Sequence, residues 1–103
     1  MSVFAKRLKE ARKAAGLSQE KLGVLAGIDE MSASARMNQY ERGKHAPDYS
    51  MVERIAANLN LPVTYFFSAD DSEAKLLVAY HRLRDEDKNH ILSQALEMIR
   101  TDK

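Results

Sequence analysis

The sequence predicts an all-α fold of short helices. Apolar residues recur at steps of three and four over nearly the whole chain, no stretch alternates with the period of a half-buried strand, and Gly, Pro, Asn, Ser and Asp stand where helices would stop and start. With 103 residues, 45% of them hydrophobic, the chain fits one compact unit of ordinary globular composition. A chain of this size buries about two-thirds of its unfolded surface, enough to hold a core without staples. The absence of Cys excludes disulfides, a structural zinc built on thiolates and thiol chemistry. No apolar run approaches the roughly 20 residues that cross a bilayer, and the charged opening Lys6, Arg7, Lys9, Glu10 is not followed by a secretory apolar segment. A soluble, cytoplasmic protein with no membrane partner is therefore expected.

Residues 2–15 place Phe4, Leu8, Ala11 and Ala15 on one stripe, with Lys6, Lys9 and Lys13 turned outward. Gly16 ends this helix, since it takes the left-handed conformation without a Cβ penalty, and Ser18 is a good cap for the next. Residues 19–26 form a short second helix that buries Leu22 and either Leu25 or Ala26, and Gly27 stops it. The stretch Asp29 to Ser34 is small and polar; apolar spacing resumes at Ala33, Met37 and Tyr40, which gives a third helix over 33–42, ended by Gly43. Asp48, after Pro47, caps a fourth that carries Met51, Val52, Ile55, Ala56 and Leu59, with Asn60 as a left-handed stop. Pro62, at a first helical position, opens a short fifth helix through Val63, Tyr65, Phe66 and Phe67.

Ser68 to Ser72 reads as a joint, dividing the chain into a unit over 1–68 and a C-terminal helical extension over 69–103. Leu76, Leu77, Tyr80 and Leu83 form one amphipathic segment of that extension. Asp85, Glu86 and Asp87 open another, where the helix dipole favours each negative charge by about 0.3–1 kcal/mol. It carries Ile91, Leu92, Ala95, Leu96 and Ile99. These faces need a cover, supplied either by the same chain or by a second subunit.

The formal net charge of +1 conceals an asymmetry: residues 1–45 carry nine Lys+Arg against five Asp+Glu, and residues 46–103 carry seven against ten. A basic front half can attract a polyanion while the acidic rear stays away from it. The two short helices joined at Gly27 are what a helix-turn-helix requires. Gly23, in the middle of the first of them, is either the point where two helix backbones cross closely or a tolerated Gly costing about 1 kcal/mol relative to Ala.

The run from Arg7 to Leu22 (RLKEARKAAGLSQEKL), the later Tyr40-Glu41-Arg42-Gly43-Lys44, Pro47, and Leu59-Asn60-Leu61-Pro62-Val63 resemble the phage repressor, Cro and XRE type of helix-turn-helix DNA-binding domain. The resemblance covers residues 5–67. It implies a lambda-repressor-like five-helix bundle that binds operator DNA as a dimer in a transcription regulator, here with one or two further C-terminal helices. It places Ser18 and Gln19 at the start of the second helix as phosphate contacts, in keeping with the anion affinity of a helix N-terminus. It also implies that Arg12 and Glu41 form a buried structural ion pair between the first and third helices.

The third helix resembles the recognition helix, and would present Ser34, Ala35, Arg36, Asn38 and Gln39 to base edges while Met37 and Tyr40 pack inward. Arg can bond guanine in a bidentate way and Gln or Asn adenine, so Arg36 and Gln39 are the foremost base readers. Arg42, Lys44 and His45 follow as phosphate contacts. In one respect the chain departs from the family: Ile28 to Glu41 holds about four residues more than the usual turn, around Asp29 to Ser32. Either Ser32 or Ser34 then caps the recognition helix, and Asp29 and Glu30, which would repel phosphate, should point away from DNA.

The expected partners are double-stranded DNA and a second copy of the chain, with no cofactor, metal or small-molecule ligand. Two half-sites about 34 Å apart multiply the affinity and specificity of so small a reader. An enzyme is disfavoured: His45, His81 and His90 lack metal-ligand spacing, and there is neither a nucleophile beside a base nor a Gly-rich phosphate loop. The alternative is a protein-interaction module, such as the antitoxin part of a toxin-antitoxin pair.

Overall fold

A computed structural model describes residues 2–102. Along it run α1 (Val3–Ala14), α2 (Gln19–Leu25), α3 (Glu30–Glu41), α4 (Tyr49–Leu59), a 3₁₀ turn (Val63–Phe67), α5 (Asp71–Arg82) and α6 (Asp85–Thr101), with no strand among the described residues. None of these helices is long and apolar enough to cross a membrane.

Local chemistry fixes most of the helix starts. Ser2, Ser18, Asp29, Asp48 and Asp70 each accept a hydrogen bond from a first-turn amide, at 3.1, 3.0, 3.1, 2.8 and 2.8 Å. Such a cap contributes about 1 kcal/mol. Asn60 ends α4 in the left-handed conformation, φ 53°. Pro62 precedes the 3₁₀ turn in an extended conformation instead of occupying its first helical position, because the chain must turn sharply after Leu61 to return Phe66 to the core.

The core draws one fully buried large side chain from each of the first five elements: Leu8, Leu22, Met37, Ile55 and Phe66. Phe4 stacks against Phe66 at 5.6 Å between ring centroids, and Tyr65 meets Phe66 edge-on at 5.1 Å. In α2 it is Ala26 that is buried, while Leu25 is exposed. A Cβ on Gly23 would stand 2.9 Å from the Ala33 Cβ and 3.1 Å from the Ala33 carbonyl oxygen, so α2 and α3 do cross where only glycine fits. From the other side, α4 holds the C-terminal end of α2: Arg54 Nε donates to the Ala26 carbonyl at 2.7 Å and Asn58 Nδ2 to the Leu25 carbonyl at 3.1 Å.

The third helix differs from the expected 33–42. It starts at Glu30 and is capped by Asp29, not by Ser32 or Ser34. The additional residues are not a loop; they are one more turn at the leading end of α3. Apolar spacing could not reveal that turn because nothing in it is buried.

The extension is anchored by arginines. Arg7, on α1 and only 4% exposed, donates to the Ser68 carbonyl at 2.9 Å, the Ala69 carbonyl at 3.3 Å and Asp71 Oδ1 at 2.9 Å, and pairs with Glu10 at 3.2 Å. Burial opposes its charge, but the bonds it donates to Asp71 and Glu10, with the attraction of both carboxylates, outweigh it and hold its pKa above the usual guanidinium value. The Arg7 hydrogen bond, with help from Lys6, keeps the Asp71 carboxyl below the ordinary range. Burial pushes the Tyr65 phenol, against which Arg7 lies, upward. At the other end of α5, Arg82 donates to the carbonyls of Asn60 and Leu59 at 3.0 and 3.3 Å.

Ala74 is the residue α5 buries, whereas Leu76 and Tyr80, expected on its inward stripe, are exposed. No residue of α6 is buried. The 17-residue α6, about 25 Å long, projects away from the bundle. The radius of gyration is accordingly 15.8 Å, against about 13 Å for a compact chain of this length.

Candidate nucleic-acid interface

Ala33, Met37, Tyr40 and Glu41 form the buried side of α3. The opposite side is a stripe at helical spacing, running from Met31 through Ser34 and Ala35 to Asn38 and Arg42. Ser34, Ala35, Arg36 and Gln39 are all exposed, and Asn38 is half-buried. Met31 is 93% exposed at the leading turn.

A polar chain ties this stripe to α2 and α1. Gln19 Nε2, at the start of α2, donates to Asn38 Oδ1 at 3.3 Å and to Glu41 Oε1 at 3.1 Å. Glu41 in turn accepts from Arg12 Nε at 2.5 Å and Nη2 at 3.1 Å, while Arg12 Nη1 donates to the Leu17 carbonyl at 2.8 Å. The carboxylate is 3% exposed and the guanidinium 12%. Planar Arg against carboxylate in two parallel bonds is the strongest arrangement these side chains offer. It sets where α2 begins relative to α3. Ser18 Oγ caps α2 by accepting from the Lys21 amide, one residue before Gln19.

Arg36 does not extend away from the helix. Its Nη2 donates to the Tyr40 hydroxyl at 2.9 Å and its guanidinium lies 6.0 Å from the Tyr40 ring centroid. Beyond α3, the Gln39 carbonyl accepts from the Lys44 amide at 3.0 Å and the His45 amide at 3.5 Å, which folds these two exposed residues back beside Arg42. Asp29 is occupied as the cap, and Glu30 lies exposed beside it. Among the described residues no group of three His, Cys, Asp or Glu is arranged to hold a metal ion.

The structure thus gathers Gln19, Asn38, Glu41 and Arg12 into one bonded chain and leaves Ser34, Ala35, Arg36 and Gln39 on an exposed face. The sequence places Met31 in the polar stretch Asp29 to Ser34, whereas the structure puts it on the leading turn of α3. Nothing in the charged opening Lys6, Arg7, Lys9, Glu10 marks Arg7 as the buried one of the four.

A family model described as a helix-turn-helix domain matches residues 5–72. The chain is a helix-turn-helix protein. Its family is that of the phage repressor, Cro and XRE type, as the run from Arg7 to Leu22 implies. Two relatives, from Sinorhizobium medicae (strain WSM419) and Rhizobium meliloti (strain 1021), are each described as an uncharacterized HTH-type transcriptional regulator and are 36% identical over 61 residues. That match covers 59% of this helix-turn-helix protein and 41% of each relative, so the chain matches less than half the length of either. The crystal structure of transcriptional regulator BswR is similar along nearly the whole length: TM-score 0.82, 43% identity, 95% of this chain and 94% of that one. The likeness therefore extends beyond the helix-turn-helix into α5 and α6.

Proposed function

We propose that this helix-turn-helix protein is a sequence-specific DNA-binding transcriptional regulator that represses from a palindromic operator as a homodimer. The observation that carries the reading is the exposed polar side of α3, held at a fixed angle to the start of α2 by the Gln19–Asn38–Glu41–Arg12 chain. In it Ser34, Ala35, Arg36, Asn38 and Gln39 read base edges, and Ser18, Gln19, Arg42, Lys44 and His45 hold phosphate. Bonds to bases carry the sequence information and bonds to phosphate the register.

Selection of bound fragments from random DNA tests this directly. Arg36→Ala and Gln39→Ala should each lose roughly 1–3 kcal/mol of discrimination between the selected site and random duplex, with helical content unchanged. Full specificity in both variants would remove α3 as the reading element.

The dimer is supported by the uncovered face of α6, where Leu92, Leu96 and Ile99 are 50, 56 and 60% exposed. A row of this kind at helical spacing costs solubility unless something covers it. Leu92→Asp with Leu96→Asp should shift sedimentation from dimer to monomer while the helix-turn-helix stays folded. An unchanged dimer would move the interface to another face.

A further inference from the structure

Met31 is the most exposed large hydrophobic residue described, at 93%, and its position distinguishes it from the others. On α6 the exposed Leu92, Leu96 and Ile99 lie at helical spacing and form a row. Met31 instead stands between the exposed Glu30 and Ser32, and the residues one turn further along its stripe, Ser34 and Ala35, are small. It lies three, four and seven residues before Ser34, Ala35 and Asn38, on the same outward stripe of α3. Its own amide is held by the Asp29 carboxylate at 3.1 Å, which fixes the backbone that carries it. A single flexible thioether at the tip of a stripe of small and polar side chains matches a small apolar feature in an otherwise polar groove.

The major groove offers one such feature, the 5-methyl group of thymine, among edges that otherwise present donors and acceptors. At about 100° per residue, Asp29 and Glu30 leave the leading turn to the sides of the Met31 stripe, so their carboxylates need not enter the groove with it. We propose that Met31 is a specificity-determining residue that packs its thioether end on the 5-methyl group of a thymine in each half-site. This rests on the DNA-binding reading of α3 and adds to it a contact made by the turn in which the chain departs from its family.

The test uses the full chain and the site obtained by selection, with each thymine replaced in turn by deoxyuridine, which removes only the methyl group. Wild type should lose about fourfold in affinity at one thymine per half-site, the equivalent of one buried methyl group. Met31→Ala should bind the thymine and deoxyuridine forms of that position equally while keeping any losses elsewhere, and Met31→Leu should retain the discrimination. As the side chain touches nothing that holds the fold, thermal stability should be unchanged in both variants.

A selected site without thymine, a wild type indifferent to every replacement, or a loss that persists in Met31→Ala each overturns the proposal and leaves α3 as the reader. Failure to select any sequence overturns the DNA-binding reading as well.

Discussion

Arg12→Ala should destabilise the protein by about 3–5 kcal/mol in urea unfolding followed by helical content. The reason is what it leaves behind. Glu41 is 3% exposed, and with Arg12 gone its carboxylate retains Gln19 as its side-chain partner in a place water hardly reaches. The reverse change, Glu41→Ala, should cost less, because the Arg12 guanidinium is 12% exposed, keeps its bond to the Leu17 carbonyl and can turn toward solvent. A double variant, Arg12→Leu with Glu41→Met, should recover much of the loss, since removing both charges leaves none stranded. A single Arg12→Ala variant within about 1 kcal/mol of wild type would show that the carboxylate is hydrated or protonated at little cost.

Gly23→Val should cost about 3 kcal/mol and lower the melting temperature by more than about 10 °C. In an open helix the same exchange would be favourable by several tenths of a kcal/mol, because glycine is a poor helix former. Here the new Cβ would approach the Ala33 Cβ to 2.9 Å and the Ala33 carbonyl oxygen to 3.1 Å, and a backbone atom cannot swing aside as the Met37 side chain can. The two helices must separate, and with them Gln19 from Asn38, so selective binding to the operator should fall along with stability. A melting temperature at or above that of wild type would mean that the α2–α3 crossing is looser than the structure describes.

These two positions also show what the sequence could and could not convey. Stop and start signals were legible wherever a cap or a left-handed residue coincides with a change in apolar spacing, as at Gly16–Ser18, Asp48 and Asn60. The Arg12–Glu41 pair was reached through the resemblance alone, because no local pattern links residues 29 positions apart. The first turn of α3 was illegible for a physical reason: Asp29, Glu30, Met31 and Ser32 bury nothing, so only the cap and the acidic first turn hold it helical, and neither alters apolar periodicity.

On α5 the larger residues misled. Leu76 and Tyr80 look inward by size, yet it is the small Ala74 that the bundle admits, since α5 lies close against the 3₁₀ turn and the Arg7 cluster. On the exposed side of α3, Arg36 was legible as a residue type but not in its resting place against Tyr40, which depends on a neighbour four residues away.

The Arg7 cluster bears on reach along a duplex. In the dimer proposed above, two reading heads joined tail to tail would span a distance dictated by the elbow at which each tail leaves its head, and that elbow is the guanidinium gripping the Ser68 and Ala69 carbonyls and Asp71. A stiff elbow makes the molecule a caliper that accepts one separation between repeats; a slack one would let it settle on several. In the proposed dimer, the choice among genomic sites would thus be set partly by an arginine outside the reading helix.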